Sequence, residues 1–283
     1  MNKQTLLFLV ILLAAISSFI LYCSLTRTKE PYDVSSPIIV WSWWENKNGN
    51  LGKPEMVQRC LQNWKSVGKI NDFRVLNPTT INQYIPSHEY QKICKAAGSN
   101  LAVKSDFIGL YLLFNLGGTW MDATNYLHSP LSEWCSGPTP ILYRARRYSQ
   151  TTPCIETFFM HAGDKGYSFF GEWYNKLLQI APRFDDWCNR LKQQYPGIAQ
   201  GMEYGNYLWV YLVGKKILMD NPELLEGATV IDSEDGPWKE SIDQNWDVDK
   251  TCQALTTKGR SHTRITKLDN ELRKKCNISI VPV

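Results

Sequence analysis

The chain has 283 residues, of which 43% are hydrophobic and 20% are charged. This composition excludes a disordered, collagen-like or coiled-coil protein, because each of those classes has a strong compositional bias that is missing here. The net charge is +4 and no basic run occurs, so we expect no nucleic-acid partner.

The N-terminus holds a long uncharged segment. The 23 residues between Lys3 and Arg27 carry no charge, and as a helix they would cover a hydrocarbon layer of about 30 Å. A cleavable signal peptide, the alternative, has a shorter apolar region that ends in a small-x-small site. We therefore predict a cytoplasmic tail and signal-anchor helix over residues 1–25, a short stem over 26–36 and a folded domain over 37–283.

The cysteines indicate the compartment. Basic residues on the two sides of the anchor nearly cancel, so the positive-inside rule does not fix its orientation. Seven cysteines follow the anchor, a number typical of an oxidising lumen, and because seven is odd at least one thiol stays free or pairs between chains. Asn277-Ile278-Ser279 matches the N-glycosylation pattern. We predict a single-pass type II membrane protein whose domain is lumenal, in the Golgi or another secretory compartment.

The apolar pattern of the folded domain alternates between strands and helices. Strands are predicted at 37–41, 73–76 and 119–121, and helices at 54–67, 80–84, 88–97, 101–116, 168–180, 185–194 and 205–218. The alternation predicts an α/β domain with a mainly parallel sheet, in which ligands bind at the carboxyl ends of strands. Asp122, directly after a predicted strand, lies at such an end.

Two carboxylates flank the helix predicted over 101–116 and its following strand. Asp106 lies near the start of the helix and Asp122 follows the strand, while Gly117 and Gly118 end the helix and would let a ligand approach the backbone. Carboxylate oxygens suit Mg²⁺ or Mn²⁺, and such a cation neutralises charge on a departing diphosphate. Each residue alone has a plain structural explanation, in a turn or a helix end, so the prediction depends on the combination.

The motif over residues 104–124 is the most specific pattern in the chain. Its parts, in order, are Ser105-Asp106, Gly117-Gly118, Trp120 and Asp122-Ala123-Thr124. This pattern resembles the capsular polysaccharide synthesis proteins and their relatives, the DXD-containing sugar transferases that include Golgi mannosyltransferases and the glucosylating domains of large bacterial toxins. Weaker similarity extends over most of residues 37–270.

The resemblance implies a GT-A (Rossmann-like) fold, a UDP- or GDP-sugar donor, Mn²⁺ or Mg²⁺, and retention of the anomeric configuration. It implies that Asp106 binds ribose or sugar hydroxyls and that Asp122 is the principal metal ligand, with the Thr124 hydroxyl beside it. It also places Trp41 near the nucleobase, and His262 near the diphosphate if the C-terminal segment folds over the donor. The alternative for His262 is a solvated basic patch together with Arg264 and Lys267. The glycine pair belongs to the same implied donor site.

Two residues depart from the family pattern. Gly109 stands where the family has an arginine, and Thr124 replaces the second acid of the DXD motif. Lys104 is the candidate for the missing cation. We predict a hexosyl- or pentosyltransferase that acts on a glycan or glycoprotein. The alternatives are a non-catalytic relative that binds a glycan or nucleotide, and a lumenal glycoside hydrolase.

Overall fold

The computed structural model describes residues 39–46, 49, 51–200, 202, 208–257 and 263–276. The predicted anchor, the stem, His262 and the Asn277 glycosylation pattern lie outside the described residues. Within the described ranges, no helix combines the length and apolar character that crossing a bilayer requires.

A mixed six-stranded sheet forms the centre of the described domain. Its strands are β1 (Val40–Trp43), β2 (Phe73–Leu76), β3 (Gly118–Met121), β5 (Ile141–Arg144), β6 (Ile155–Gly163) and β7 (Thr229–Asp232). They lie in the order β2-β1-β3-β6-β5-β7. β1 is parallel to β2 and β3, and β5 is parallel to β7, whereas β6 runs antiparallel to both β3 and β5. The predicted α/β class is confirmed.

Two further strands, β4 (Asn125–Leu127) and β8 (Ile265–Lys267), form a separate antiparallel pair. The helices are α1 (Glu55–Ser66), α2 (Ser87–Ala97), α3 (Leu101–Leu116), α4 (Ser168–Ile180), α5 (Phe184–Gln194), α6 (Trp209–Asp220), α7 (Lys239–Asp243), α8 (Val248–Thr257) and α9 (Asn270–Lys275). The segment predicted as a helix at 80–84 is a 3₁₀ turn of three residues, Ile81–Gln83. The Asn77 side chain organises this turn by accepting hydrogen bonds from the backbone N–H groups of Thr79 and Thr80.

Helix α3 carries the predicted motif and is held at both ends. The Asn100 side chain caps its start by accepting hydrogen bonds from the backbone N–H groups of Ala102 and Val103. Gly117 ends it with φ of 72°, which glycine adopts without strain. Phe107 is fully buried in the main core. Both the cap and the burial fix the position of the first turns of α3 relative to the sheet.

The glycine pair Gly117-Gly118 serves backbone packing at the opposite end of β3 from Asp122. A Cβ atom on Gly118 would lie 2.6 Å from the carbonyl oxygen of Ile39, and one on Gly117 would lie 2.8 Å from the backbone nitrogen of Lys165. Gly118 also has positive φ, of 85°. The predicted role of this pair in admitting a ligand is therefore corrected: the two glycines let strand and loop backbones approach each other.

One disulfide, between Cys252 and Cys276, joins α8 to the end of α9 among the described residues. The other described cysteines are free thiols: Cys60, Cys94, Cys135, Cys154 and Cys188. Burial raises the pKa of both the Cys60 and the Cys135 thiol to about 12. These thiols are neutral in the folded protein and have little reactivity.

We expect the double substitution Cys252→Ser and Cys276→Ser to lower the free energy of unfolding by about 3 kcal/mol, because the bond closes a loop of about 25 residues in the unfolded chain. Denaturant unfolding of the variant and the parent measures this difference. Cys94→Ser, which removes a free thiol, is the control and should change stability less. Equal stability of the double variant and the parent would contradict the presence of the Cys252–Cys276 disulfide.

Candidate functional site

A cavity of about 1040 Å³ lies at the carboxyl ends of β1, β3 and β5. The first turns of α3, the amino end of the antiparallel strand β6 and the segment after β8 complete its walls. Its charged lining residues are Glu45, Asp106, Asp122, Arg147, Glu156, Lys267, Asp269, Glu271 and Arg273. Its aromatic lining residues are Trp43, Trp44, Tyr148, Phe158, Tyr211, Trp238 and Trp246. The cavity occupies the edge of the sheet at which the sequence predicts a ligand.

Asp106 projects from the second turn of α3 into this cavity. The hydroxyl of Thr157, on β6, donates a hydrogen bond of 2.6 Å to the Asp106 Oδ1 atom. The pKa of Asp106 is raised to about 8, chiefly by burial; the nearby charge of Asp122 also raises it, whereas the Thr157 hydrogen bond and the charge of Lys267 lower it. Asp106 is therefore mostly a neutral carboxylic acid at pH 7, able to donate as well as accept a hydrogen bond.

Asp122 and Thr124 lie in a tight turn directly after β3. The backbone N–H of Asn125 donates to the carbonyl oxygen of Asp122 and closes the turn. The backbone N–H of Asp122 donates to the carbonyl oxygen of Phe158 on β6, which ties the turn to the sheet. These hydrogen bonds hold the Asp122 and Thr124 side chains in the wall of the cavity.

Lys267, at the end of β8, reaches both side chains of this turn. Its ammonium forms an ion pair with Asp122 and donates a hydrogen bond of 3.0 Å to the Thr124 hydroxyl. Lys267 and Asp122 are 145 residues apart in sequence. The sequence places Lys267 in a basic segment with Arg264, but the structure separates the two, because the Arg264 guanidinium lies over the ring of Trp134.

The residues around Asp122 do not fit a divalent cation in this arrangement. A cation such as Mg²⁺ needs several oxygen ligands at about 2.0 to 2.1 Å, yet the Asp122 and Thr124 oxygens both accept hydrogen bonds from the Lys267 ammonium. Across the described ranges, no group of three or more histidine, cysteine, aspartate or glutamate side chains is arranged to hold a metal. The Mn²⁺ or Mg²⁺ expected from the motif stays a prediction.

Two predicted donor-site residues lie away from the cavity. Trp41 is 2% exposed, and its indole N–H donates a hydrogen bond of 2.9 Å to the carbonyl oxygen of Gly117. The sequence predicts that β1 ends at Trp41. The strand instead continues to Trp43, and Trp43 and Trp44 line the cavity. Lys104 is buried and forms an ion pair of 2.9 Å with Glu45, which itself lines the cavity.

The departure from the family pattern at Gly109 has a packing reason. A Cβ atom at this position would lie 2.7 Å from the ring of Trp120, which is fully buried on β3. An arginine would therefore displace Trp120 from the core. Helix α3 and strand β3 pack closely here because residue 109 has no side chain.

Glu156 is a cavity residue that the motif analysis does not assign to the site. It is 4% exposed on β6, and the Trp238 indole N–H donates a hydrogen bond of 3.1 Å to its Oε1 atom. Burial raises the pKa of Glu156 to about 7, although the Trp238 hydrogen bond lowers it. The local sequence signal is a glutamate near the start of a mostly apolar strand, which does not distinguish a cavity position from an exposed strand end.

Sequence patterns likewise do not identify the aromatic rim of the cavity, which lies near β5 and α7. The Trp246 side chain is 43% exposed, its ring lies 5.8 Å from that of Trp238, and the Arg147 guanidinium lies 5.4 Å from its centre. Exposed indole rings of this kind offer flat apolar faces on which sugar rings or bases stack. The eleven tryptophans of the chain give no indication of which ones reach the surface.

Comparison with known proteins gives one family and a distant structural likeness. The sequence profile described as "Capsular polysaccharide synthesis protein" matches residues 2–183, which is more than half of the chain. No curated protein matches the sequence. A solved structure titled "PaToxG Glycosyltransferase" is similar at 12% sequence identity and a TM-score of 0.40, with 77% of this chain and 78% of that chain covered. A likeness of that size supports no inference about chemistry.

We expect Glu156→Gln to stabilise the protein at pH 8 but not at pH 4.5. The folded protein keeps the Glu156 proton up to about pH 7, whereas the unfolded chain releases it near the ordinary pKa of 4.5. The stability that the protonated carboxyl provides is therefore complete below pH 4.5 and is lost as pH rises to 7. Denaturant unfolding at both pH values should show a gain on the order of 3 kcal/mol at pH 8.

The control for this prediction is Glu226→Gln, which changes an exposed glutamate in the same way. It should leave stability unchanged at both pH values. An equal effect of Glu156→Gln at pH 4.5 and pH 8 would contradict the raised pKa.

Proposed function

Because the chain belongs to the capsular polysaccharide synthesis protein family, we propose that it is a glycosyltransferase that moves a sugar from a UDP- or GDP-sugar to a glycan or glycoprotein. One observation carries this proposal. The two carboxylates of the motif, Asp106 and Asp122, line one cavity at the carboxyl edge of the sheet and lie close enough for the charge of Asp122 to raise the pKa of Asp106.

The dimensions and lining of the cavity support a nucleotide-sugar ligand. Its volume of about 1040 Å³ is at the upper end of the range for small-molecule sites, which is about 300 to 1,000 Å³. Carboxyl and hydroxyl groups on one wall can bind sugar or ribose hydroxyls, and Trp238 and Trp246 on the rim can stack on a sugar ring or base. The cavity therefore offers both kinds of contact that such a donor needs.

In the proposed reaction, the bond between the anomeric carbon and the diphosphate oxygen breaks and its electron pair stays on that oxygen. A new bond forms between the anomeric carbon and the acceptor hydroxyl oxygen, and one proton is released. The nucleoside diphosphate gains one negative charge, which the site must stabilise. Near pH 7, Asp106 can donate a hydrogen bond to a hydroxyl group of the nucleotide sugar without adding negative charge, because the pKa of Asp106 is raised to about 8. Retention of configuration is part of this proposal.

We also propose a cellular location for the protein. The uncharged segment of residues 1–25 would anchor a type II membrane protein, and its domain would lie in the lumen of the Golgi or another secretory compartment. The Cys252–Cys276 disulfide supports an oxidising compartment. Lys267 donates hydrogen bonds to both predicted metal ligands, Asp122 and Thr124.

The test is to incubate the purified full-length chain with a panel of UDP- and GDP-sugars and to measure release of the nucleoside diphosphate. We expect release from at least one donor, and a fall on the order of 100-fold in Asp122→Asn. The matched control is Asp243→Asn, because Asp243 also pairs with a lysine, Lys239, but lies outside the cavity. Circular dichroism would verify that both variants fold.

The alternative is a relative that binds a nucleotide or glycan without transferring sugar, and the departures at Gly109 and Thr124 are what favour it. A donor that binds but is never cleaved would support that alternative. Release that is unchanged in Asp122→Asn would move the reaction to a different site.

A further inference from the structure

We propose that the ammonium of Lys267 supplies the positive charge that holds the donor's diphosphate, in the place where the motif predicts a divalent cation. This inference rests on the glycosyltransferase function proposed above. It names the group that stabilises the leaving diphosphate, and it makes nucleotide binding independent of metal.

The backbone fixes Lys267 beside the turn that follows β3. In the β4–β8 pair Lys267 lies opposite Asn125, the residue that closes the turn. The backbone N–H of Lys267 donates to the carbonyl oxygen of Pro237, and the N–H of Leu268 donates to the carbonyl oxygen of Thr124. With these backbone bonds on both sides of the side chain, the position of the ammonium does not depend on its contact with Asp122 alone.

The ammonium retains a donor for a ligand. A lysine side chain has three N–H donors, and in the described part of the chain two acceptors are found for them, the Asp122 carboxylate and the Thr124 hydroxyl. Lys267 lines the cavity, so its third N–H can meet a phosphate oxygen there. Asp122 then acts as a positioning residue, because it holds the ammonium in one orientation.

The surroundings make this charge effective. The side chains of Lys267 and Asp122 are only 13% and 29% exposed, so salt screens the ammonium less than it would screen a surface lysine. Among the described residues, two other cations line the cavity, and both are engaged elsewhere: the Arg147 guanidinium lies over Tyr148 and Trp246, and the Arg273 Nε donates to the carbonyl oxygen of Asp269. Of these three described cations, Lys267 is the one that contacts Asp122 and Thr124.

A divalent cation at the same oxygens would compete with this lysine. To bind Asp122 and Thr124, a cation such as Mg²⁺ would have to lie about 2.0 to 2.1 Å from each oxygen, within the space that the ammonium occupies between them. Two cations so close repel each other strongly. Metal binding at these oxygens and the observed position of Lys267 are thus alternatives.

During transfer Lys267 would act as a fixed positive charge. When the sugar–oxygen bond breaks, the electron pair stays on the diphosphate, and the hydrogen bond from the ammonium becomes stronger as that oxygen becomes more negative. No redox change and no covalent bond to the protein is involved.

Titration calorimetry of the full-length chain with UDP and with GDP tests the proposal, each in EDTA and in Mn²⁺. We expect one of the two nucleotides to bind in EDTA with an affinity within about twofold of that in Mn²⁺. Lys267→Met, which keeps the length of the side chain and removes the charge, should weaken this binding by roughly 10- to 100-fold. Binding of the matching nucleoside, which has no phosphate, should change less than twofold.

Lys239→Met is the control, because Lys239 forms an ion pair with Asp243 outside the cavity. It should leave binding unchanged. Nucleotide binding that requires Mn²⁺, or that survives Lys267→Met, overturns the inference and leaves the glycosyltransferase proposal standing. If Lys267→Met weakens binding of the nucleoside as much as binding of the nucleoside diphosphate, Lys267 has only a structural role and the inference also fails. If neither nucleotide binds in either buffer, the donor class is wrong and the inference falls with it.

Discussion

The pairing of β4 with β8 is the constraint on which the candidate site depends. β4 continues directly from the turn that carries Asp122, and β8 ends at Lys267, 145 residues later in the chain. Each strand has only three residues, so the pair needs support from outside. Leu268 packs in a buried cluster with Met56 and Cys60 of α1, and the Cys252–Cys276 disulfide closes the segment that contains β8. The C-terminal segment thereby brings Lys267 to the turn that carries Asp122, in a cavity that the first half of the domain and the Trp238–Trp246 rim also line.

The electrostatics of the site follow from placing acids at the buried edge of a sheet. An ionised carboxylate that loses its water needs a cation, needs hydrogen bonds, or takes up a proton. Asp122 is paired with Lys267, whereas burial raises the pKa of Asp106 to about 8 and that of Glu156 to about 7. Near neutral pH the wall of the cavity therefore carries much less negative charge than its composition implies. An anionic diphosphate is accepted more readily by such a wall than by three ionised carboxylates.

The sequence predicts the parts of this site that depend on local signals. Apolar periodicity and end signals define α3 and β3, and these elements bring Asp106 and Asp122 to one cavity. Trp41 is misplaced because the end of a short strand depends on its neighbours: β1 runs on to Trp43 beside β2. The contact of Lys267 with Asp122 has no local signal at all, since a three-residue strand with one apolar side chain does not differ from a loop. Long-range pairing of short strands is what sequence patterns do not encode.

We expect a nucleoside diphosphate to bind beside Lys267 without a metal. The direct test is a crystal structure of the full-length chain with the nucleotide that binds, grown in EDTA. A diphosphate oxygen should lie within hydrogen-bond distance of the Lys267 Nζ atom, with the ion pair to Asp122 intact. A structure grown in Mn²⁺ should show the same arrangement. A diphosphate bound elsewhere in the molecule, or a metal bound to Asp122 with Lys267 turned away, would contradict it.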